Sequence, residues 1–314
     1  MAIKNPKPDL EHLSHLARQI VNQGVSKNTH KSYNLALKKL DKFRAEYQLN
    51  STWPIAISEL LNFIAYLSVN GLSGGSVSSY ISGISYFHKI NGFQDTTKFF
   101  IISKALEGLK RMQGGKRQDI RAPITLNLLS EITSVLDKVC SSNYEAIMFA
   151  AAFSLSFFGL LRVGEITQPN QKEKIKSVIG IDDIEINKNK INLMIRCSKT
   201  DQQGKSIKLV IPANHKSTCP VRLIKKYLSL RPTGSNQDLF IHFNSSSLTR
   251  YQFNSVLQKS LKFLNVLKGH YRTHSFRIGG ATELARKGVN EQEIMKLGRW
   301  KSHAYARYIR IDVF

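Results

Sequence analysis

At 314 residues, 42% of them hydrophobic, the chain exceeds the usual size of a single compact core, and two domains are expected. Its 46 lysines and arginines stand against 22 acidic residues, a formal charge of +24 that points to a polyanionic partner, nucleic acid first, with affinity falling steeply with salt. Scattered Cys140, Cys197 and Cys219 argue against a disulfide framework. No apolar run approaches the ~18 residues of a membrane span, and the start Met1-Ala-Ile-Lys-Asn-Pro6 lacks the apolar region of a signal peptide, so no membrane partner and a reducing compartment are expected.

Taken in chain order, the first periodic segment runs over residues 28–47, where Tyr33, Leu37, Leu40, Phe43 and Tyr47 recur at three and four. Lys31, Lys38, Lys39, Lys42 and Arg44 take the other positions, which predicts a helix with a basic exposed side suited to DNA. Ser58 is the expected cap of a second helix with Leu61, Ile64 and Leu67; residues 71–75 close it before a third with Val77, Ile81 and Ile84. A fourth is expected from about Thr97 through Leu109. The stretch after Lys110 loses apolar periodicity and contains Gly114-Gly115. We place the domains at 1–113 and 124–314, joined by a basic linker over 114–123 whose Lys116, Arg117 and Arg121 read either as solvated or as a strap along a phosphate backbone.

Beyond Pro123 helices are expected around 126–139 and 144–158. Residues 179–186, 191–196 and 206–211 then alternate apolar and polar, which predicts a small antiparallel sheet of three strands. The helical pattern returns over 221–230, 250–264, 274–287 and 291–297. The fold class is therefore mainly α with a small antiparallel β-sheet, an α+β chain.

The chemistry-bearing residues lie in this second part. Breaking a phosphodiester without a metal requires fixed cations around an anion that gains charge as it is attacked, and arginine forks match phosphate best. Arg162 follows the apolar segment 153–161, so its charge needs a partner or an anion; Glu165, three residues on, is placed to hold its fork. His274 and Arg277 have the same spacing at a helix start, itself a favourable place for an anion. Tyr308, among Arg307 and Arg310, is the candidate nucleophile, with Tyr305 one turn earlier as the alternative. Lys199, between the second and third strands, is the candidate acid for the departing oxygen, with Lys205 in reserve. Trp300 brings an indole N–H and a large ring. His215 and Cys219 form the one pair with zinc-like spacing, and no glycine-rich nucleotide loop is present, so no metal and no cofactor are expected.

With these residues in place the chain resembles the tyrosine recombinases, the integrase family that includes phage integrases and Cre-type enzymes. Thr273-His-Ser-Phe-Arg-Ile-Gly, Leu297-Gly-Arg-Trp and Ala304-Tyr-Ala-Arg-Tyr-Ile-Arg are particularly similar to recombinases of eukaryotic mobile elements such as Cryptons. The resemblance implies a helical core-binding domain followed by a catalytic domain, the two clamping duplex DNA. It casts Arg162 and Arg277 as the catalytic arginines, Glu165 as acidic companion, Lys199 as general acid, His274 as the histidine of the His-x-x-Arg pair, Trp300 at the His-or-Trp position and Tyr308 as nucleophile. It further implies a 3′-phosphotyrosine intermediate without ATP or metal, a homo-tetramer on double-stranded DNA, and residence in the nucleus, or in the cytoplasm for a prokaryotic or viral source. Six residues follow Tyr308, too few for the terminal helix that some relatives exchange, so assembly is expected to use another element unless the chain is a piece of a longer one. Two other outcomes share the residue set: a catalytically silent DNA-binding descendant and a type IB topoisomerase-like activity.

Overall fold

The computed structural model describes residues 9–114, 119–172, 174–175, 177–196, 206–266 and 268–311. The chain divides into two compact units, Met1–Gln118 and Asp119–Phe314.

The first unit is helical. Its leading helix α1 (Leu10–Gln23), capped by Asp9, carries Leu10, Leu13, Leu16 and Ile20 on an exposed apolar stripe; it has no counterpart among the expected elements. Next come α2 (Lys27–Glu46), α3 (Ile57–Val69), α4 (Gly74–Ile90) and α5 (Phe100–Met112), whose apolar faces meet around Leu40, Phe63, Leu67, Ile81 and Ile102. A Cβ at Gly83 would lie 3.0 Å from the Ala36 Cβ and 3.1 Å from the Tyr33 Cα, so the missing side chain is what lets α4 lie against α2. Helix α3 begins at Ile57 after Ala56, which offers no side-chain acceptor, and Ser58 is not its cap. The expected fourth helix starts as a 3-10 turn over Thr96–Lys98; extended Phe99 (ψ 144°) interrupts it before α5.

Arg44 departs from the expected basic face. It is 2% exposed, its Nε donates to Glu59 Oε1 at 2.6 Å and its Nη2 to the Thr52 carbonyl at 2.9 Å, and its guanidinium lies 5.2 Å from the Trp53 ring centroid. Residue 44 falls on the inner side of α2, where a cation is tolerated because a carboxylate and a carbonyl meet it. Lys31, Lys38 and Lys42 are exposed and Lys39 is half-buried.

In the second unit α6 (Leu126–Ser134) and α7 (Leu136–Val139) are separated by Val135, splitting the one helix expected there. Helix α8 (Asn143–Phe158) is buried at every residue from Ala146 to Phe157, the fate of a helix apolar on all sides. It ends at Phe158, and Leu160, whose φ of 45° lies in the left-handed region, leads to the short α9 (Val163–Ile166). The antiparallel sheet follows, with β1 (Ile184–Ile186), β2 (Lys190–Ile195) and β3 (Ile207–Pro212) in the order β1-β2-β3. The first strand is shorter than expected because Ile181–Asp183 wind into a 3-10 turn, with the Gly180 N–H donating to Asp183 Oδ2 at 2.8 Å.

Four helices complete the unit: α10 (Pro220–Leu228), α11 (Arg250–Phe263), α12 (Ser275–Arg286) and α13 (Glu291–Gly298), then a 3-10 turn over His303–Tyr308. Helix α12 is seated by two glycines. A Cβ at Gly279 would lie 1.8 Å from the Ile124 carbonyl oxygen, and one at Gly280 would lie 2.2 Å from that of Phe157. Since these obstacles are backbone, Gly279→Ala is expected to destabilise the unit by about 3 kcal/mol through overpacking; a thermal melt at the wild-type temperature would contradict this seating.

Candidate active site

The site forms where the end of α8, the start of α12 and the end of α13 converge. Arg162 caps α9, and Glu165 folds back on it: Glu165 Oε2 accepts from the Arg162 N–H at 2.8 Å, and Oε1 from Arg162 Nη1 at 3.1 Å. The three-residue spacing thus forms the anticipated ion pair. A second guanidinium, which sequence reasoning did not assign, shares the carboxylate. Arg299 Nη2 donates to Glu165 Oε2 at 2.8 Å and to the Leu160 carbonyl at 3.0 Å, and the Arg299 side chain is 1% exposed. Its backbone takes the left-handed conformation (φ 57°) that ends α13, which turns the side chain inward. The Gly298-Arg-Trp triplet was the signal; nothing in one sequence says that a helix-ending arginine is internal.

Arg277 is wholly buried. Its Nη1 donates to the Leu160 carbonyl and its Nη2 to that of Gly298. The left-handed turn at Leu160 therefore presents one carbonyl to two buried cations, the kind of backbone strain that clusters at functional sites. Burial first, then the Arg162 and Arg299 cations, push the Arg277 pKa down, and it remains charged at neutral pH. Trp300 covers it, with ring centroid and guanidinium 4.2 Å apart, a cation–π contact. The indole rests on Gly298, where a Cβ would lie 1.8 Å from Trp300 Cζ3. Tyr308 lies against the same pair, its ring 4.9 Å from that of Trp300 and 5.4 Å from the Arg277 guanidinium. The Tyr305 ring meets that of His303 instead, with centroids 6.4 Å apart, and neighbouring Glu291 pushes its pKa up.

His274 is the N-cap residue of α12, one turn before Arg277. Burial, then the charges of Arg121, Arg277, Arg162 and Arg250, lower its pKa from 6.5 to about 4, so the imidazole is neutral at pH 7. A base with a lowered folded-state pKa contributes its full stability above pH 6.5 and loses it as pH falls toward 4, because the unfolded chain takes the proton first. An NMR titration of free protein is expected to place the His274 midpoint near 4, and a DNA phosphate in the site is expected to raise it. A midpoint at the ordinary 6.5 would contradict the burial and charge described here.

The surrounding cations are held in place. Arg121 is gripped by Asp119 through Nε and Nη2, both at 2.8 Å, and Arg310 Nη2 reaches the same carboxylate at 3.4 Å. Of the basic residues expected to form a strap, Arg121 is therefore ion-paired within the second unit, and residues 121–124 pair with its later segments: the Ala122 N–H donates to the His270 carbonyl at 3.1 Å and that of Ile124 to Ser275 at 3.0 Å. Arg250, at the start of α11, has its Nη2 3.1 Å from where a Cβ on Gly164 would stand; the glycine makes room for it. Lys199, Lys205, Lys116 and Arg117 lie outside the described residues.

Within this cage of arginines, three buried nitrogens have no hydrogen-bond partner among the described residues: His274 Nδ1, Arg277 Nε and Arg299 Nε. Buried polar atoms of this kind are costly unless something meets them, and an anion with several acceptor oxygens meets donors of this kind. A phosphate held among Arg162, Arg250 and Arg121 would face a neutral imidazole and a phenol. Among the described residues no group of three or more His, Cys, Asp or Glu is arranged to hold a metal ion, and no helix is long and apolar enough to cross a membrane.

Comparison with known proteins follows the same lines. The model of the phage integrase family matches residues 124–312, and that of the phage integrase N-terminal SAM-like domain matches residues 13–91. Among solved structures the chain is similar to the XerH site-specific recombinase bound to palindromic difH substrate, at 19% identity, over 88% of this chain and 75% of that one, with a TM-score of 0.64. It is also similar to a lambda integrase dimer bound to a COC′ core site, at 15% identity over 95% and 76%, TM-score 0.63, and to the Tn1549 transposon integrase in complex with circular intermediate DNA, at 15% identity over 94% and 93%, TM-score 0.60. At such identities the likeness establishes the fold. No curated protein sequence matches the chain. With family models matching both units, and that of the phage integrase family covering residues 124–312, more than half of the chain, this protein belongs to the phage integrase family, that of the tyrosine recombinases.

Proposed function

We propose that this chain is a site-specific DNA recombinase that cuts and rejoins duplex DNA through a 3′-phosphotyrosine on Tyr308. The observation that carries the reading is the stacking of Tyr308 and Trp300 on buried Arg277, beside buried nitrogens without partners. In the proposed step the Tyr308 oxygen attacks the scissile phosphorus and the bond to the 5′-oxygen breaks. The phenol gives up its proton, for which the neutral imidazole of His274 is the base at hand, and the departing 5′-oxygen takes one from Lys199. Arg162 and Arg277 meet the charge that grows on the phosphate. Because one ester is exchanged for another, a 5′-hydroxyl of a second strand reverses the step without ATP or metal.

We further propose, on the resemblance of its motifs to Crypton-type elements, that this activity serves the integration or excision of a eukaryotic mobile element, with residence in the nucleus and a tetramer joining two duplexes. In the first unit Lys31, Lys38, Lys39 and Lys42 on α2 supply contacts to the phosphate backbone, joined by Lys116 and Arg117 of the segment that follows α5 in sequence. The test uses a library of nicked duplexes with randomised core sequence, incubated with the protein in EDTA. An SDS-resistant protein–DNA band, with the attached duplexes sharing a sequence, is expected. Duplexes that are bound and selected but never joined to protein would overturn the reading in favour of a silent DNA-binding protein; relaxation of plasmids regardless of sequence would favour topoisomerase-like chemistry.

A further inference from the structure

The 3-10 turn that carries Tyr308 has no buried residue, so burial in the core does not fix its position. What meets it from α12 is Thr282, which is wholly buried and lies one turn and a half beyond Arg277 on the same helix. Its Oγ1 is 2.8 Å from the Ile278 carbonyl, the back-bond usual for a helical threonine. The same oxygen is 3.2 Å from the Tyr308 carbonyl and accepts the Arg310 N–H at 3.1 Å. A hydroxyl has one proton to donate and lone pairs to accept with, so the proton is shared between the Ile278 and Tyr308 carbonyls while a lone pair takes the Arg310 N–H, and this single group meets the chain on both sides of residue 309. The ion pair of Arg310 with Asp119, at 3.4 Å, grips only a side chain; Thr282 grips the backbone.

We propose that Thr282 is a positioning residue for Tyr308, registering the nucleophile's backbone against the helix that carries His274 and Arg277. The proposal rests on the covalent role of Tyr308. Losing the hydroxyl leaves the arginine cage and the DNA-facing surface untouched but lets the phenol drift, and small misplacements of a reacting group cost up to about a hundredfold in rate.

Thr282→Val keeps the volume and removes the bonds; Thr282→Ser keeps the bonds. On nicked duplexes selected by the wild type, single-turnover adduct formation by Thr282→Val is expected to slow by about tenfold or more. Its affinity for the duplex should be unchanged, and hydrogen exchange at the Arg310 amide should be accelerated. Thr282→Ser is expected to restore both rate and protection. If Thr282→Val does not fold, Thr282→Ala takes its place in the same assays. A hydroxyl-free variant that reacts at the wild-type rate, or one whose loss Thr282→Ser does not repair, overturns the proposal while leaving the covalent reading intact. A wild type that forms no adduct on any duplex overturns both.

Discussion

Tyr308→Phe is expected to bind DNA as the wild type does and to form no covalent adduct, a loss of at least about four orders of magnitude in strand cleavage. The substitution removes one oxygen and keeps the ring, so the contacts with Trp300 at 4.9 Å and with the Arg277 guanidinium at 5.4 Å are retained. Folding and affinity are therefore separated from chemistry. Tyr305→Phe is the internal control and should react at close to the wild-type rate. Neighbouring Glu291 pushes the Tyr305 pKa up, the wrong direction for a nucleophile. Adducts that persist in Tyr308→Phe and vanish in Tyr305→Phe would reverse the assignment.

The second large effect is expected from Glu165→Ala. Glu165 is 5% exposed and meets both Arg162, at 3.1 Å, and buried Arg299, at 2.8 Å. Removing it leaves these cations facing each other and Arg277 with no opposing charge, and breaking a buried ion pair from one side typically costs about 3–5 kcal/mol. A drop in melting temperature of about 10 °C follows for a unit of this size. Glu165→Gln retains acceptor oxygen for Arg162 and Arg299, and its loss should be smaller. Millimolar sulfate should recover part of the stability of Glu165→Ala by taking the place of the carboxylate among the guanidinium groups. A variant that melts with the wild type would mean that Glu165 does not hold the cluster together.

How far the sequence discloses this site depends on whether a contact is local or long-range. The pairing of Arg162 with Glu165 is encoded in a three-residue interval that one helical turn closes, and it was legible. So was α8, because residues 146–157 have no polar face to turn toward water. The union of Arg277 with Leu160 and Gly298 was not: it spans over a hundred residues and depends on a left-handed backbone at Leu160 that no residue preference announces. Arg299 escaped for the same reason, and Arg44 was misread because the helical period that placed it outside does not register a carboxylate waiting on α3. Helix α1 carries its signal in the spacing of Leu10, Leu13, Leu16 and Ile20, but none of them is buried in either core among the described residues.

The most direct test of the central claim is tandem mass spectrometry of the adduct trapped on a nicked duplex, digested with trypsin and nuclease. The account predicts a nucleotide joined through its 3′-phosphate to the phenolic oxygen of Tyr308. A nucleotide on Tyr305, on a serine or on a histidine, or linkage through a 5′-phosphate, would contradict it.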